Sequence, residues 1–538
     1  MSDFASLTGR FRAYKDTLQS FVKQLMQKQN QPSTQSVNDA VPTLSGLSLE
    51  PTPAPIGTVD QADQRDQIDG EPRPFLGRRT DVEEEAGETE RLREGRAEDP
   101  LAVSLSSGGE VIFGASHNYS LQQIVSHHLP PRLEVDRLLA IYFQGETYIV
   151  PFIHTYHFQR QYREFWADTA NVNPLWLSML FSICCMASVI RGATSPYQTT
   201  PNDWVSESSH LHAAAGQCLV LGEYHRRQQF VVEALAMYAH CKNFQSLDPS
   251  REAGAILGMV VRMAYEMGYH RDPDSFGSFT IFEGEMRRRC WAACKQMDLM
   301  ISFQLGLPSN ICLEDCDTKS PRNLSDVDFS AETEVLPASR SENEATRLLW
   351  FIVKDRQMTS FSYVCKDALS FHEKSEIEII QLDEEIRRMY AMVPDVLRTR
   401  PVSESIADDP FLIMTRLYVE FIYLKSLCVL HRKYMARGHD FSTKSCVEAG
   451  KRLVSQFIDM YKEFSPGGQL WTERWMLSSF TMNDFLLGVM VFCLVVHSRR
   501  KRGARHSLID SATERDVLPL LEQSHAICVE KSKASRGA

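Results

Sequence analysis

One stretch of the chain decides how its fold is interpreted: "MAYEMGYHRDPDSFGSFTIFEGEMRRRCWAACKQMD", residues 263–298. It opens inside an apolar pattern of helical spacing that begins near residue 251. Gly268 suits the left-handed position after the last turn of a helix, and Pro273 prevents the helix from continuing. We therefore expect His270, Arg271 and Asp272 to lie in a connecting turn, followed by a second helix over about 285–303.

The His-Arg-Asp triplet also begins the catalytic loop of protein kinases, where an Asn stands five residues after the Asp. Gly277 occupies that position here. The sequence also lacks the glycine-rich loop and the strand lysine that a kinase needs. The triplet therefore predicts a structural turn, and kinase chemistry is excluded.

The second helix carries three consecutive arginines, Arg287, Arg288 and Arg289, close to Trp291. An apolar stripe of this helix contains Met286, Cys290, Ala293, Met297 and Met300, and the neighbouring stripe contains Arg287, Trp291, Cys294 and Asp298. Glu283 and Glu285 stand four residues before Arg287 and Arg289, and a guanidinium pairs well with a carboxylate. We expect one of the arginines to be buried and paired, with Asp298 as a candidate acceptor. The alternative is a solvated basic face.

The composition is ordinary for a globular protein, with 43% hydrophobic and 24% charged residues in 538. With a formal net charge of -11, the chain as a whole lacks the excess of positive charge that is typical of nucleic-acid-binding proteins. The 13 cysteines are scattered among apolar residues, which indicates buried, reduced thiols rather than a disulfide framework.

Neither a leader peptide nor a membrane span is predicted. Asp3, Arg10 and Arg12 interrupt the first residues, and no apolar run follows them. The longest apolar run, residues 485–496, is shorter than the roughly 20 residues that cross a bilayer. We interpret it as a buried helix.

The chain divides into four segments that differ in amino-acid composition and in the spacing of apolar residues. Residues 1–31 are predicted to form an amphipathic helix or a short coiled coil, because apolar residues are spaced alternately three and four apart: Phe4, Leu7, Phe11, Tyr14, Leu18, Phe21 and Leu25. Residues 32–110 are rich in Pro, Ser, Thr and acidic residues, which predicts a disordered linker. Residues 111–500 are predicted to be an all-α domain. Residues 501–538 are expected to hold a basic loop and a C-terminal helix. The chain is either truncated or a regulator without DNA contacts of its own.

Within the predicted domain, the apolar spacing indicates helices at residues 173–190, 227–244, 251–268, 285–303, 343–371, 375–392, 411–435, 443–463 and 477–497. Behind the last of them, Arg499, Arg500, Lys501 and Arg502 open the one dense basic cluster, "RRKRGARH". This cluster predicts either a nuclear import signal or a solvated loop.

Metal-ligand residues occur only in weak patterns. The candidates are Cys290 with Cys294, Cys312 with Cys316, and the histidines at 127 and 128, 154 and 157, and 210 and 212. No second cysteine pair at zinc-ligand spacing and no matching carboxylates accompany them. A phosphate loop and a nucleophile elbow are also absent. We therefore predict no catalytic, cofactor-binding or metal-binding residues in this chain.

Three motifs in this order resemble the regulatory middle-homology domain of fungal zinc-binuclear-cluster transcription factors: "MAYEMGYHRDP", "EGEMRRRCWAACKQMD" and, at 306–323, "GLPSNICLEDCDTKSPRN". In that family, a His-Arg-Asp turn, an arginine-tryptophan helix with a downstream Asp, a Gly-Pro turn and a Pro-Arg-Asn end follow one another. The resemblance covers about residues 111–500. It is carried by Gly268, His270, Arg271, Asp272, Arg287, Arg288, Arg289, Trp291, Asp298, Gly306, Pro308, Pro321 and Arg322.

The resemblance implies an all-helical regulatory domain of a nuclear transcription regulator, acting on RNA polymerase II transcription of a metabolic or biosynthetic pathway. It implies contacts with a second copy, through the stripe in residues 1–31, and with transcriptional coregulators. It also leaves room for a small-molecule effector in a helix-lined cavity.

One family feature is missing. Members usually carry an N-terminal cluster of six cysteines that binds two zinc ions and contacts DNA, but the first cysteine here is Cys184. Zinc and DNA contact are therefore expected only through a module that is missing from this chain or supplied by a partner.

The alternative function is an all-α metal-dependent enzyme, such as a terpenoid-type cyclase. That class needs Asp-rich metal-binding motifs on helices. The nearest match is "LEDCDT", residues 313–318, beside a proline-bounded loop. The resemblance favours the transcription regulator.

Overall fold

The computed structural model describes residue 113 and residues 119–194, 201–245, 247–502 and 511–535. Within these ranges the chain is all-α and contains no strand, as predicted. The apolar stripe from Phe4 to Leu25 and the predicted linker at 32–110 lie outside the described residues, so both stay predictions.

Fourteen α-helices follow one another in the described ranges. They are α1 (Leu121–His128), α2 (Arg132–Ile149), α3 (Thr155–Ala167), α4 (Pro174–Thr194), α5 (Pro201–Leu221), α6 (Val231–Phe244), α7 (Arg251–Glu266), α8 (Ile281–Leu305), α9 (Leu349–Leu369), α10 (Glu376–Ala391), α11 (Pro410–Met435), α12 (Asp440–Glu463), α13 (Ser479–Arg502) and α14 (Ser511–Ser535). Every helix expected from the apolar spacing is present as α4 or one of α6 to α13, while α1, α2, α3 and α5 are additional.

Several helix starts differ from the expected ones, and two of these differences have a clear local reason. Helix α8 begins four residues early because Thr280 caps it: its hydroxyl accepts from the Glu283 amide at 3.2 Å, and the Glu283 carboxylate accepts from the Thr280 amide at 2.9 Å. Helix α9 begins later than residue 343 because the preceding residues form an irregular segment with turns.

Two helices form the centres of the packing. Helix α4 is buried on nearly all sides and packs against α2, α5 and α6, while α11 packs against α9, α12 and α13. Helix α8 contacts α7 and α6 on one side and α9 and α13 on the other. Buried apolar side chains from both groups belong to one continuous core, so α8 links the two groups of helices.

Of the fourteen described helices, two are long and apolar enough to cross a membrane by length and composition alone. They are α4 and residues Ser479–Val496 of α13, with mean hydropathies of 1.7 and 1.9. The apolar part of α13 is therefore longer than the run at 485–496 suggested. However, 83% of the apolar window in α4 and 72% of that in α13 are buried inside the bundle, as expected of core helices.

The C-terminal part departs from expectation at one point. Helix α13 continues through Arg502, so Arg499, Arg500, Lys501 and Arg502 are its last residues and not the start of a loop. The rest of the basic cluster, residues 503–510, lies outside the described residues. Helix α14 agrees with the predicted C-terminal helix.

Helix α7 ends as the sequence predicts. Gly268 has a φ of +72°, and the Tyr269 amide donates back to the Ala264 carbonyl at 2.9 Å, which closes the last turn. A Cβ at Gly268 would lie 2.3 Å from a ring carbon of Phe276. Gly258, in the middle of the same helix, has no atom within 4 Å of a Cβ placed there.

We expect Gly268→Ala to lower the free energy of unfolding by about 1–2 kcal/mol, because alanine is strained at positive φ and its methyl group displaces Phe276. Gly258→Ala is the matched control and should raise stability by about 0.5–1 kcal/mol, since it removes backbone freedom without a clash. Urea unfolding followed by circular dichroism measures both. Equal effects of the two substitutions would contradict this account of the turn.

Candidate functional site: the polar residues of helix α8

Arg288 is buried and paired with Asp272, which lies in the His-Arg-Asp turn. Its Nε and Nη2 donate to the two carboxylate oxygens of Asp272 at 3.1 Å and 2.9 Å, and Nη2 lies 2.8 Å from Asp274. The exposed fractions of Arg288 and Asp272 are 7% and 3%. This bidentate pair fixes the turn after α7 against α8.

Asp272 is the most heavily hydrogen-bonded acid of the turn. Besides Arg288, the backbone amides of Asp274 and Lys319 donate to it at 3.1 Å and 2.9 Å. Burial on its own would raise the pKa of Asp272, but Arg288 and the two amides outweigh burial and hold the pKa well below its usual value. The carboxylate is therefore ionised at neutral pH and joins the turn to the segment that follows α8.

Arg289 is the second buried arginine, with an exposed fraction of 3%. Its Nη1 donates to Asp326 at 2.7 Å and its Nη2 to the carbonyl of Leu324 at 3.0 Å. Asp326 also accepts from the backbone amide and hydroxyl of Thr155, at 2.8 Å and 2.9 Å, at the start of α3. Arg289 thus connects α8 to the segment after it and to the N-terminal helices.

Arg287 has a different role, at the end of α7. Its Nη2 donates to the carbonyl of Met267 at 2.6 Å, and its guanidinium lies over the rings of Tyr269 and Phe279, at 4.0 Å and 4.3 Å. A cation at this position complements the negative end of a helix. Glu283, expected as its partner, is instead used in the cap of α8.

The prediction that one arginine is buried and paired is confirmed for both Arg288 and Arg289. The prediction that Asp298 is the acceptor is wrong. Asp298 is 1% exposed and accepts from the Asn310 amide and side chain at 2.8 Å and 2.7 Å, and from the Ser309 hydroxyl at 2.6 Å. It lies more than two turns beyond the arginines on α8, too far along the helix to meet them. Asp298 therefore orients the turn that contains Gly306 and Pro308.

The Gly-Pro and Pro-Arg-Asn motifs belong to the same arrangement. Gly306 ends α8 with a φ of +70°, and Pro308 is exposed in the following turn. Pro321 is buried, and the Arg322 amide donates to Glu285 on α8 at 3.1 Å. Burial raises the pKa of Glu285 despite nearby Arg289, whose Nε lies 3.6 Å away.

The remaining motif residues are packed against the same helix. Trp291 is 1% exposed, and its ring contacts Tyr265 and His270 at centroid distances of 5.5 Å and 6.4 Å. Burial lowers the pKa of His270, and the charge of Arg271 lowers it further. Arg271 is half exposed and donates to Asp317 at 3.0 Å. A solvated basic face on α8 is therefore ruled out.

The predicted metal-ligand candidates do not converge. His128 and His210 come together, with Nδ1 and Nε2 2.9 Å apart. Cys290 and Cys294 are buried, whereas Cys312 and Cys316 flank a single 3₁₀ turn. The described residues contain no group of three or more His, Cys, Asp or Glu side chains that could hold a metal ion.

Sequence reasoning missed most of the partners. Asp326, Asp274, Asn310 and the amide of Lys319 complete the network around α8, and a buried pair of Lys425 on α11 with Asp484 on α13, 3.1 Å apart, lies near its other end. Each is a common residue type in an unremarkable local pattern. Only the density of acids at 272–328 hinted at them.

We expect Arg288→Met to lower the free energy of unfolding by about 3–5 kcal/mol, because it leaves the buried carboxylate of Asp272 without its counter-ion. The control is Arg262→Met on α7, where an 80% exposed side chain pairs with Glu266 and the cost should stay below about 0.5 kcal/mol.

Chemical denaturation measures both variants. The double variant Arg288→Met/Asp272→Leu should recover part of the loss, since it removes the charge that was left unpaired. If the single and double variants are equally unstable, packing and not the ion pair dominates at this site.

Comparison with known proteins identifies the domain. Residues 139–381 match the family model described as the fungal specific transcription factor domain. That range includes α3 to α9 and all of the arginine network described above.

Curated relatives resemble the chain over a longer range. The Zn(2)-C6 fungal-type transcription factor pigI of Monascus ruber is 31% identical over 80% of this chain and 53% of its own length. The equisetin cluster transcription factor eqxF of Fusarium heterosporum is 32% identical over 82% of this chain and 64% of its own. The pyrrolocin cluster transcription factor fsdR of a fungal species is 31% identical over 76% and 55%.

The chain thus spans between 53% and 64% of the length of these relatives. They are transcription factors and not enzymes, which confirms the prediction that the chain is not an enzyme and leaves the cyclase alternative without support. The chain contains a fungal-specific transcription factor domain, and its curated relatives are transcription factors that include two named as Zn(2)-C6 fungal type.

Proposed function

We propose that the protein regulates the transcription of a fungal biosynthetic gene cluster. The observation that carries the proposal is the similarity, over about four fifths of the chain, to relatives named as cluster transcription factors. The helices would act as the regulatory domain, and DNA contact would come from a zinc-cluster module that these residues do not include.

The geometry is consistent with a scaffold and not with a reaction centre. The charged side chains of α8 are held by side chains of the neighbouring segments: Arg288 by Asp272, Arg289 by Asp326 and Asp298 by Asn310. These contacts fix the segments in place, which is a structural role. The domain would therefore work by presenting surfaces to coregulators. A nuclear location follows from this role, with residues 499–502 as the proposed import signal.

Deletion of the gene from its host tests the proposal. The transcripts of one contiguous set of biosynthetic genes should fall together, and reintroduction of the intact gene should restore them. A copy carrying Arg288→Met should fail to restore them, whereas the control copy with Arg262→Met should succeed. RNA sequencing provides the measurement. The proposal is abandoned if no contiguous set of biosynthetic genes responds to the deletion.

We further propose that the chain forms a homodimer through the stripe from Phe4 to Leu25. Its alternating spacing of three and four matches the seam of a coiled coil. A dimer would set the spacing between two attached DNA-binding modules.

Sedimentation of the intact chain beside a variant lacking residues 1–31 tests the dimer. The intact chain should sediment as a dimer and the shortened chain as a monomer. A variant lacking residues 51–81 controls for the loss of chain length and should remain dimeric. The same oligomeric state in all three would remove the claim.

A further inference from the structure

A cavity lies at the centre of the bundle, where α8 links the two groups of helices. Its volume is about 80 Å³, and α6, α8, α9, α11 and the start of α13 line it. One water molecule needs about 10–15 Å³ on this measure, so the cavity has room for several waters or for one small organic molecule.

The cavity wall contains buried polar atoms without a partner. The amide nitrogen of Asn243 donates to the Ser479 hydroxyl at 3.3 Å, and that of Gln296 donates to the Phe351 carbonyl at 3.3 Å. Their oxygens, Oδ1 of Asn243 and Oε1 of Gln296, have no hydrogen-bond partner among the described residues, although the two residues are only 2% and 1% exposed. An unpaired buried acceptor is costly, so both oxygens indicate a bound group that donates hydrogen bonds.

The wall also carries an uncompensated positive charge. Lys425 is fully buried beside the cavity and pairs with Asp484, one of the lining residues, at 3.1 Å. Lys354 lines the same cavity and has no ion pair within the described residues; its Nζ lies 5.2 Å from the ring of Trp350. Of the charged lining residues, Asp484 is thus already paired with Lys425. Lys354 is attracted only at longer range, by Asp484 and by Asp355, which pairs with Lys295, and its charge favours an anionic occupant.

The pKa values agree with this charge balance. Burial lowers the pKa of Lys354 to about 8, and repulsion from Lys425 contributes to the shift. Burial lowers the pKa of the neighbouring His240 to about 4, so it faces the cavity as a neutral ring at physiological pH. An anion beside Lys354 would favour its charged form.

The rest of the wall is apolar and suits an organic body. Phe244, Phe351, Phe480, Met297 and Met300 contribute rings and thioethers. Methionines adapt to different shapes, and rings pack against an apolar or aromatic group. A mostly apolar wall with a few convergent polar groups is the usual form of a small-molecule site.

A second cavity, beside Arg289, does not share these features. Its volume is about 110 Å³, but the charged groups of Arg289 and Asp326 that line it already bind each other, at 2.7 Å. The third charged lining residue, Arg347, donates to the backbone carbonyls of residues 143 and 144. The second cavity therefore lacks the unpaired polar and charged groups with which the central cavity could bind a ligand.

We propose that the central cavity binds a small organic carboxylate that also carries a hydroxyl or amine donor. Lys354 would hold the carboxylate, the amide oxygens of Asn243 and Gln296 would accept hydrogen bonds from the donor, and the aromatic and methionine side chains would enclose the carbon body. The claim that the ligand controls transcription rests on the proposed function. The claim that the cavity binds a ligand does not.

The experiment uses the full chain and two probes, 3-phenyllactate and 2-hydroxyhexanoate. At millimolar concentration at least one should raise the thermal unfolding temperature, because a ligand that binds only the folded state stabilises it. The same acid should bind about tenfold more tightly than its primary amide, which lacks the charge, and than the acid without the hydroxyl, which lacks the donor. Calorimetric titration measures these ratios.

Variants locate the site. Lys354→Met should weaken binding of the acid by about tenfold and leave the unliganded protein at least as stable, since it removes a partly buried cation that has no ion pair within the described residues. The control is Lys366→Met on the same helix, where the side chain is 75% exposed and pairs with Glu314. In methyl-labelled protein, the resonances of Met297 and Met300 should shift when the acid is added.

The proposal is overturned if neither acid binds, if the amides bind equally well, or if Lys354→Met binds as the unaltered chain does. Because binding is measured on the purified protein, a failure of the gene-deletion experiment would remove only the regulatory role and leave the site standing.

Discussion

The structure depends on the need to neutralise charge inside a helical core. Helix α8 runs between two groups of helices and carries Arg288, Arg289, Glu285 and Asp298 where water does not reach. A buried ion is tolerated only with a counter-ion and hydrogen bonds in place. Because the partners lie in the turn before α8 and the segment after it, neutralising α8 also fixes the paths of both.

The fold class was predictable because it rests on spacing. The apolar residues of α4, α7 and α11 recur at helical intervals, and Gly268 and Pro273 end α7 through properties of their own backbone. The start of α8 does not follow from the apolar spacing, because Thr280 and Glu283 act together as a cap and Glu283 is therefore not available to Arg287. Helix α3 was missed because it is polar and its N-cap is a histidine, His154, which is not a usual capping residue.

The candidate site was predictable only in part. That a guanidinium next to Trp291 would be buried follows from local sequence, but the identity of its partner does not. Asp272 and Asp326 lie 16 and 37 residues from their arginines. The path of the intervening chain therefore determines which carboxylate contacts each guanidinium. The cavity beside Lys354 could not be predicted for the same reason, because five helices that are distant in sequence form its wall.

The segment between α8 and α9, residues 306–348, contains no α-helix and is attached at separate points: 309–311 to Asp298, 319 to Asp272, 322 to Glu285, and 324 and 326 to Arg289. A segment held by isolated contacts differs from one held by continuous hydrogen bonding along its whole length. Between two ties its length and composition can drift cheaply, since doubling a loop costs only about 0.6 kcal/mol. The stretch from 327 to 338 is held in the same way, with Phe329 at His154, Glu332 at Arg160 and residues 336 and 337 at Arg322. New surface can therefore be acquired between these attachment points during evolution without disturbing the helix that organises the segment.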